Sequence, residues 1–283
     1  MGGKNSRRTF FKHLFALSAF GGGSLLSFKK GVGGKICTLG PTETYAMNSP
    51  DYVVPISKER LKIEYMGMSC FLITSSKGTR IIMDPFFPDL EVLHPDLRKE
   101  PADIVTVSCG HYAHCYVWAV GGMPYIYQIT EPTELEGIIF RGVATRHLEM
   151  NEIAQQDPGD NIIICFEVDN IKICHLGALG HKLSDKQVKE VGKVDILMVP
   201  VGGVSTLPMD EAYEVCNQLN PKVIIPMHYR SERCTFSSWA TLDDFLKDKK
   251  NVLKLEPKGF GELLFKADEL PFETQIIAPS FPW

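Results

Sequence analysis

The stretch Ile171-Lys172-Ile173-Cys174-His175-Leu176-Gly177-Ala178-Leu179-Gly180-His181 decides how the rest of the chain is read: an apolar strand runs straight into a glycine-spaced loop bounded by two histidines. Its short body is β-strand material, and the glycines after it allow tight turning and close backbone approach. Just before it, residues 161–168 form a second strand pattern, and the intervening Asp169-Asn170 fits a two-residue hairpin turn. That turn sets Val168 opposite Ile171, Phe166 opposite Ile173 and Cys165 opposite Cys174. Phe166, Val168, Ile171 and Ile173 then share one apolar face, and the two cysteines meet across the ladder, where oxidation could join them.

Outward from this hairpin the same pattern recurs. Residues 61–65, 70–74, 80–84, 103–108, 138–145, 195–201 and 222–226 are short runs rich in apolar and β-branched side chains, bounded by Gly, Pro or polar residues. Helices fit between some of them. Ser184-Asp185-Lys186-Gln187 is a capping box, so a helix should run to about Val191 and stop at Gly192. Met209, Ala212, Val215, Cys216 and Leu219 recur at helical spacing before Asn220-Pro221, and Leu242–Leu246 begins a last helix. Strands that are apolar on both faces need covering on both sides. The expected class is therefore α/β: sheets covered on both sides by helices, in one domain spanning 61–283, after an irregular lead-in over 36–60.

Of 283 residues, 23% are charged and the formal net charge is −4. That sum hides an asymmetry, because residues 1–35 hold seven basic residues and no acid, leaving 23 basic against 34 acidic residues, a net −11, in the remainder. A body this acidic has no general field for phosphate backbones, which excludes nucleic acid as an expected partner. The basic end reads Ser6-Arg7-Arg8-Thr9-Phe10-Phe11-Lys12, then apolar residues from Leu14 to Phe28 and a basic pair Lys29-Lys30. It resembles a twin-arginine export signal and implies export to a bacterial periplasm, with membrane association through this segment if it is retained. Eight cysteines are too dilute for a disulfide scaffold.

Six of the eight histidines fall between His111 and His228, and they follow the ends of apolar strands. Residues 103–108 lead into Cys109-Gly110-His111-Tyr112-Ala113-His114-Cys115, 138–145 into Arg146-His147, 171–173 into His175 and His181, and 222–226 into Met227-His228. Loops at one edge of a sheet converge in space, so separate clusters can form one site. Imidazole and thiolate are the preferred ligands of tetrahedral zinc, which makes zinc the expected metal.

The order of Met83-Asp84-Pro85-Phe86, Ala102-Asp103-Ile104-Val105, the stretch 175–181, the run 194–203 and Ile225-Pro226-Met227-His228-Tyr229 resembles the metallo-β-lactamase superfamily over about residues 61–250. The branch it is most similar to contains ascorbate-6-phosphate lactonase and the N-acyl-phosphatidylethanolamine phospholipases. The resemblance implies an αββα sandwich, two mixed sheets covered by helices, and a metal-dependent hydrolase. The family's metal loop, His-x-His-x-Asp-His, maps onto Cys109, His111, Ala113 and His114; further metal-binding histidines map onto His147 and His228, and the bridging aspartate onto Ala178. A cysteine thus replaces the first ligand, and both metal-binding carboxylates are gone.

Carried over residue by residue, Cys109, His111 and His147 become a three-ligand set for one zinc, whose hydroxide would attack an ester, lactone or phosphoester of a small-molecule substrate. His114 and His228, all that is left of a second metal subsite, would move protons or orient substrate. His181 and Cys115 are reserve ligands only if they turn inward. The rival expectation is a non-catalytic descendant that keeps the fold to bind a metal or ligand, and a third makes Cys109 a nucleophile activated by a histidine. Asp84 is expected to be structural and close to the site, Met68 to be core, and the 116–127 loop, with Trp118, Tyr125 and Tyr127, to wall a pocket.

Overall fold

The computed structural model describes residues 30–31, 34–35, 60–87, 100–148, 160–231, 238–255 and 262–279. The export signal and lead-in therefore lie almost wholly outside the described residues. Within the N-terminal unit, Met1–Val54, what is described is a short antiparallel pair, β1 (Lys30–Gly31) with β2 (Gly34–Lys35).

The second unit, Pro55–Trp283, holds two mixed sheets. The six-stranded sheet contains β3 (Leu61–Gly67), β4 (Cys70–Thr74), β5 (Arg80–Met83), β6 (Ile104–Thr106), β7 (Tyr125–Tyr127) and β15 (Glu262–Phe265), ordered β15-β3-β4-β5-β6-β7. The eight-stranded sheet contains β8 (Thr133–Leu135), β9 (Ile138–Arg146), β10 (Asp160–Val168), β11 (Ile171–His175), β12 (Ile196–Pro200), β13 (Val223–Met227), β14 (Val252–Lys254) and β16 (Gln275–Ala278). Its order is β14-β16-β13-β12-β11-β10-β9-β8. The expected αββα-type sandwich of the α/β class is the architecture observed.

Burial explains why the strands read as continuous apolar runs. Phe71, Ile73, Ile81, Met83 and Ile104 join the main core between the sheets, while their alternating neighbours Cys70, Leu72, Ile82 and Val105 join a second cluster on the outer face. Every residue of β4, β12 and β13 is buried. Each fully buried Ile, Leu, Val or Phe contributes about 1.5–3 kcal/mol, so a strand buried on both faces is held far more firmly than an amphipathic one. Among the described residues, the outer cluster is closed by Phe86, Ala113, Ala119 and Trp239.

The hairpin at Asp169-Asn170 forms with the expected register, Cys165 opposite Cys174 and Val168 opposite Ile171. Both turn residues have positive φ, 52° and 61°, which matches the right-handed strand twist. Cys165 and Cys174 are free thiols whose sulfurs lie 3.8 Å apart. Helix α1 (Asp185–Val191) starts at the Ser184/Gln187 capping box and ends at Gly192. Helix α2 (Met209–Leu219) buries Ala212, Val215, Cys216 and Leu219 and ends at Asn220 in the left-handed conformation, and α3 (Leu242–Leu246) opens on a second capping box, Thr241/Asp244.

The topology gathers the histidine loops. Strand β9 is antiparallel to β10 and β10 to β11, while β11, β12 and β13 are mutually parallel, so β9, β11, β12 and β13 all end on one edge. Their C-terminal residues lead into His147, His175, Gly202 and His228.

Candidate metal and acid-base site

Asp84 is the buried centre of this edge. It follows β5 with φ of +45°, a conformation that Asp tolerates better than most residues, and its carboxylate is completely buried. The Ser108 backbone N–H donates to its Oδ1 at 2.8 Å, and both the Ser108 hydroxyl and His114 Nδ1 donate to its Oδ2, the latter at 2.7 Å. An ionised carboxylate only accepts, so the His114 proton sits on Nδ1 and the lone pair of Nε2 is left available. Burial pushes the Asp84 carboxyl up to about 6, opposed by nearby His175 and the Ser108 bonds, while burial pulls His114 down to about 3. At neutral pH the pair is therefore a carboxylate and a neutral imidazole.

Three further imidazoles surround His114. Its ring stacks on His228 with centroids 5.6 Å apart and planes 12° from parallel, and His228 in turn stacks on Trp239 at 4.3 Å. His111 lies 6.5 Å from His114 and 6.4 Å from His147. His147 Nδ1 donates to the Leu148 carbonyl at 2.8 Å, which again frees Nε2. His228 Nδ1 is buried with no hydrogen-bond partner among the described residues, and burial lowers this residue's pKa well below the ordinary histidine value. His228 also has φ of +54°, with its N–H on the Met68 carbonyl at 2.7 Å. Strain and an orphaned buried nitrogen on one residue mark a position held for its chemistry rather than for packing.

Two glycines make this convergence possible. Gly177 has φ of +60°, and a Cβ there would lie 2.5 Å from Asn161 Oδ1 and closer still to Ser108 Cβ; a Cβ on Gly202 would overlap the His228 carbonyl oxygen. Gly177→Ala is expected to cost about 3 kcal/mol through overpacking and backbone strain, read as a lowered urea midpoint with unchanged slope.

The residues expected at the site distribute as follows. His111, His114, His147 and His228 form a chain of neighbouring rings. Cys109 is buried beside them, its sulfur accepting the His111 N–H at 3.4 Å, and burial pushes its thiol up to about 12. Among the described residues, no three of these groups are closed on a common point as ligands of one ion. The fit to a metal is one of donor chemistry: neutral imidazoles, two with Nδ1–H committed to an oxygen so that Nε2 is presented, as bound histidines are, plus a buried unpartnered nitrogen.

The reserve ligands face other tasks. His181 Nδ1 donates to the Lys182 carbonyl and its Nε2 accepts the Arg146 N–H, while the Cys115 thiol donates to Gly110 O. His175 is wholly buried, donating from Nε2 to Ser69 O and accepting Gly177 N–H at Nδ1, which makes it a structural pin. Ala113 and Ala178, where the resemblance places carboxylates, are buried and supply no ligand. Met68 is core as expected, but it sits in a positive-φ turn between β3 and β4. Tyr127, expected in a pocket wall, is instead 1% exposed inside the main core, its ring packed 5.5 Å from Phe140.

A family model described as the β-lactamase superfamily domain matches residues 62–228. The chain belongs to the metallo-β-lactamase superfamily. A Thermotoga maritima crystal structure of a superfamily member, described as a candidate zinc-dependent hydrolase, is 36% identical with a TM-score of 0.61, covering 77% of this chain and 97% of that one. A Pyrococcus abyssi UPF0173 protein is 27% identical over 188 residues, 60% of this chain and 83% of its own. A Thermoplasma acidophilum UPF0173 metal-dependent hydrolase is 25% identical over 193 residues, 61% and 85% of the two chains. The superfamily match spans the whole histidine edge, from β3 to His228.

One residue of this superfamily site escapes sequence reasoning. Asn161 is fully buried; its Nδ2 donates to Thr145 Oγ1 and Leu176 O, and its Oδ1 accepts Ala178 N–H at 2.8 Å, tying β9, β10 and the 176–178 loop together. A polar residue starting an apolar strand is the signal that marks it.

Proposed function

We propose that this protein is a metal-dependent hydrolase with one zinc, acting on an ester, lactone or phosphoester of a small molecule. Cys109, His111 and His147 hold the metal, and His114 and His228 serve proton transfer and substrate orientation. The observation that carries this is the Asp84–His114 pair, a buried carboxylate fixing the tautomer of a neutral imidazole beside three more imidazoles. Buried alanines at 113 and 178 favour one metal over two.

When bound, the metal would supply Lewis acidity and bring the pKa of a water toward neutrality. His114 then has its Nε2 lone pair free to take a proton, and Asp84 stabilises the imidazolium that results, as a buried carboxylate does for a catalytic histidine. The apolar stack of Trp239 on His228 limits water around His228 Nδ1 and holds the ring in place. Without a metal, burial keeps the Cys109 thiol protonated, which disfavours a free nucleophile; as a ligand it would bind as the thiolate, its proton released on metal binding. For localisation we carry forward export to the periplasm, on the strength of the N-terminal motif.

The test is turnover of lactone, phosphodiester and thioester panels with and without chelator. Chelator-sensitive hydrolysis that falls about 10²–10⁴-fold in His114→Ala, with metal content kept, supports the proposal. Binding of metal with no turnover on any panel favours the non-catalytic descendant.

A further inference from the structure

Two thiols face each other inside the eight-stranded sheet, and neither the metal chemistry nor the Asp84–His114 pair uses them. The Asp169-Asn170 turn makes Val168 and Ile171 a hydrogen-bonded pair, and the two kinds of pair alternate outward from it. Cys165 and Cys174, three steps on, therefore form a non-hydrogen-bonded pair. Such pairs bring Cα atoms to about 4.5 Å, inside the range that a disulfide spans without moving the backbone. The sulfurs already lie 3.8 Å apart, and the two residues are 3% and 0% exposed. On its other side Cys165 is paired with Arg141 of β9, whose guanidinium donates to the Glu190 and Val191 carbonyls at the end of α1.

We infer that Cys165 and Cys174 are a modification site, which takes a cross-strand disulfide as the chain folds by exchange with a second disulfide. Burial sets the timing. Strands β10 and β11 are interior, with β9 and β12 on either side, so the finished sheet shields both sulfurs from a reagent. The hairpin closes through a local two-residue turn and can pair before the long-range contacts cover it. There the Cys165 thiolate attacks one sulfur of the incoming disulfide and expels the other as a thiolate. The Cys174 thiolate then attacks Cys165 Sγ and expels the second. The two cysteine protons pass to the two released thiols, so one disulfide is reduced as the other forms. Cys165 is the attacking member, because a hydrogen bond from Cys174 and the nearby Arg141 guanidinium lower its thiol pKa. The bond joins the strands that carry Asn161 and His175 to the histidine edge, with Cys174 directly preceding His175.

The test is refolding of the reduced, urea-unfolded full chain into a buffer of reduced and oxidised glutathione, followed by alkylation in denaturant. Trypsin cuts after Arg146, Lys172 and Lys182, so the bond shows as residues 147–172 joined to 173–182. The expected result is this linked pair in most molecules and a urea midpoint that falls on reduction, since the cross-link constrains the unfolded chain. The Cys165→Ala/Cys174→Ala variant should have a midpoint indifferent to reductant. Folded, reduced protein placed in the same buffer should keep both thiols over the time that refolding takes, and linkage there at the refolding rate would overturn the folding-time route. Recovery of Cys165 and Cys174 alkylated after refolding overturns the inference, as does either of them joined to a different cysteine. So does a double variant whose midpoint responds to reductant as the wild type does.

Discussion

Asp84→Asn is expected to cut hydrolytic turnover by about 10⁴-fold while the protein stays folded, the size of loss seen when a catalytic histidine is held in the wrong tautomer. The carboxylate accepts His114 Nδ1–H and both Ser108 donors. An asparagine carbonyl can still accept the Ser108 N–H, but its amide presents N–H toward His114 Nδ1. The imidazole proton then moves to Nε2, and the lone pair that faces the other histidines disappears. Nitrogen-15 NMR of the His114 ring checks this directly: wild type should show the Nδ1–H form and the variant the Nε2–H form. Asp84→Ala is the harsher change, since it strands buried donors at about 1–3 kcal/mol each and should lower the thermal midpoint as well. Full turnover in Asp84→Asn would remove the carboxylate from the mechanism.

The second large effect is on stability. With chelator present, the protein should lose stability as pH falls from 7 to 5. His114 has a folded pKa of about 3 against 6.5 in the unfolded chain, so between those values the unfolded state binds more protons and acid favours it. At pH 5 this amounts to about 2 kcal/mol from His114, at 1.36 kcal/mol per unit. His175 and His228, whose pKa values burial also lowers, act in the same direction. Asp84 opposes them: its folded value near 6 exceeds the unfolded 3.8, so it takes up a proton first in the folded state and returns about 1.4 kcal/mol by pH 5. The histidines win, and urea midpoints measured at pH 7, 6 and 5 should fall in that order. A midpoint that rises toward pH 5 would show these imidazoles charged in the folded protein.

Much of this architecture is legible in the amino-acid sequence alone. Strands β4, β12 and β13 are buried on both faces and are therefore spelled out in Ile, Val and Leu, and the Asp169-Asn170 turn sets a register that holds residue for residue. The Ser184 capping box works because its signal is local. Strands β7, β8, β14, β15 and β16 are not legible in this way. They are short, several expose half their residues, and their pairing is tertiary: β15 reaches back from Leu263 to Ile63. In the site, the histidine clusters are legible because they follow strong strands. The bond from Asp84 to His114 and the Asn161 tie are not, because each depends on which loops the two sheets bring together rather than on any local pattern.

Elemental analysis of purified, zinc-loaded and dialysed protein tests the metal-centred account most directly, with the Cys109→Ser/His147→Ala variant as its control. The account predicts about one zinc per chain in the wild type and none retained by the variant. No bound metal under any loading condition, or the same content in both proteins, would contradict it.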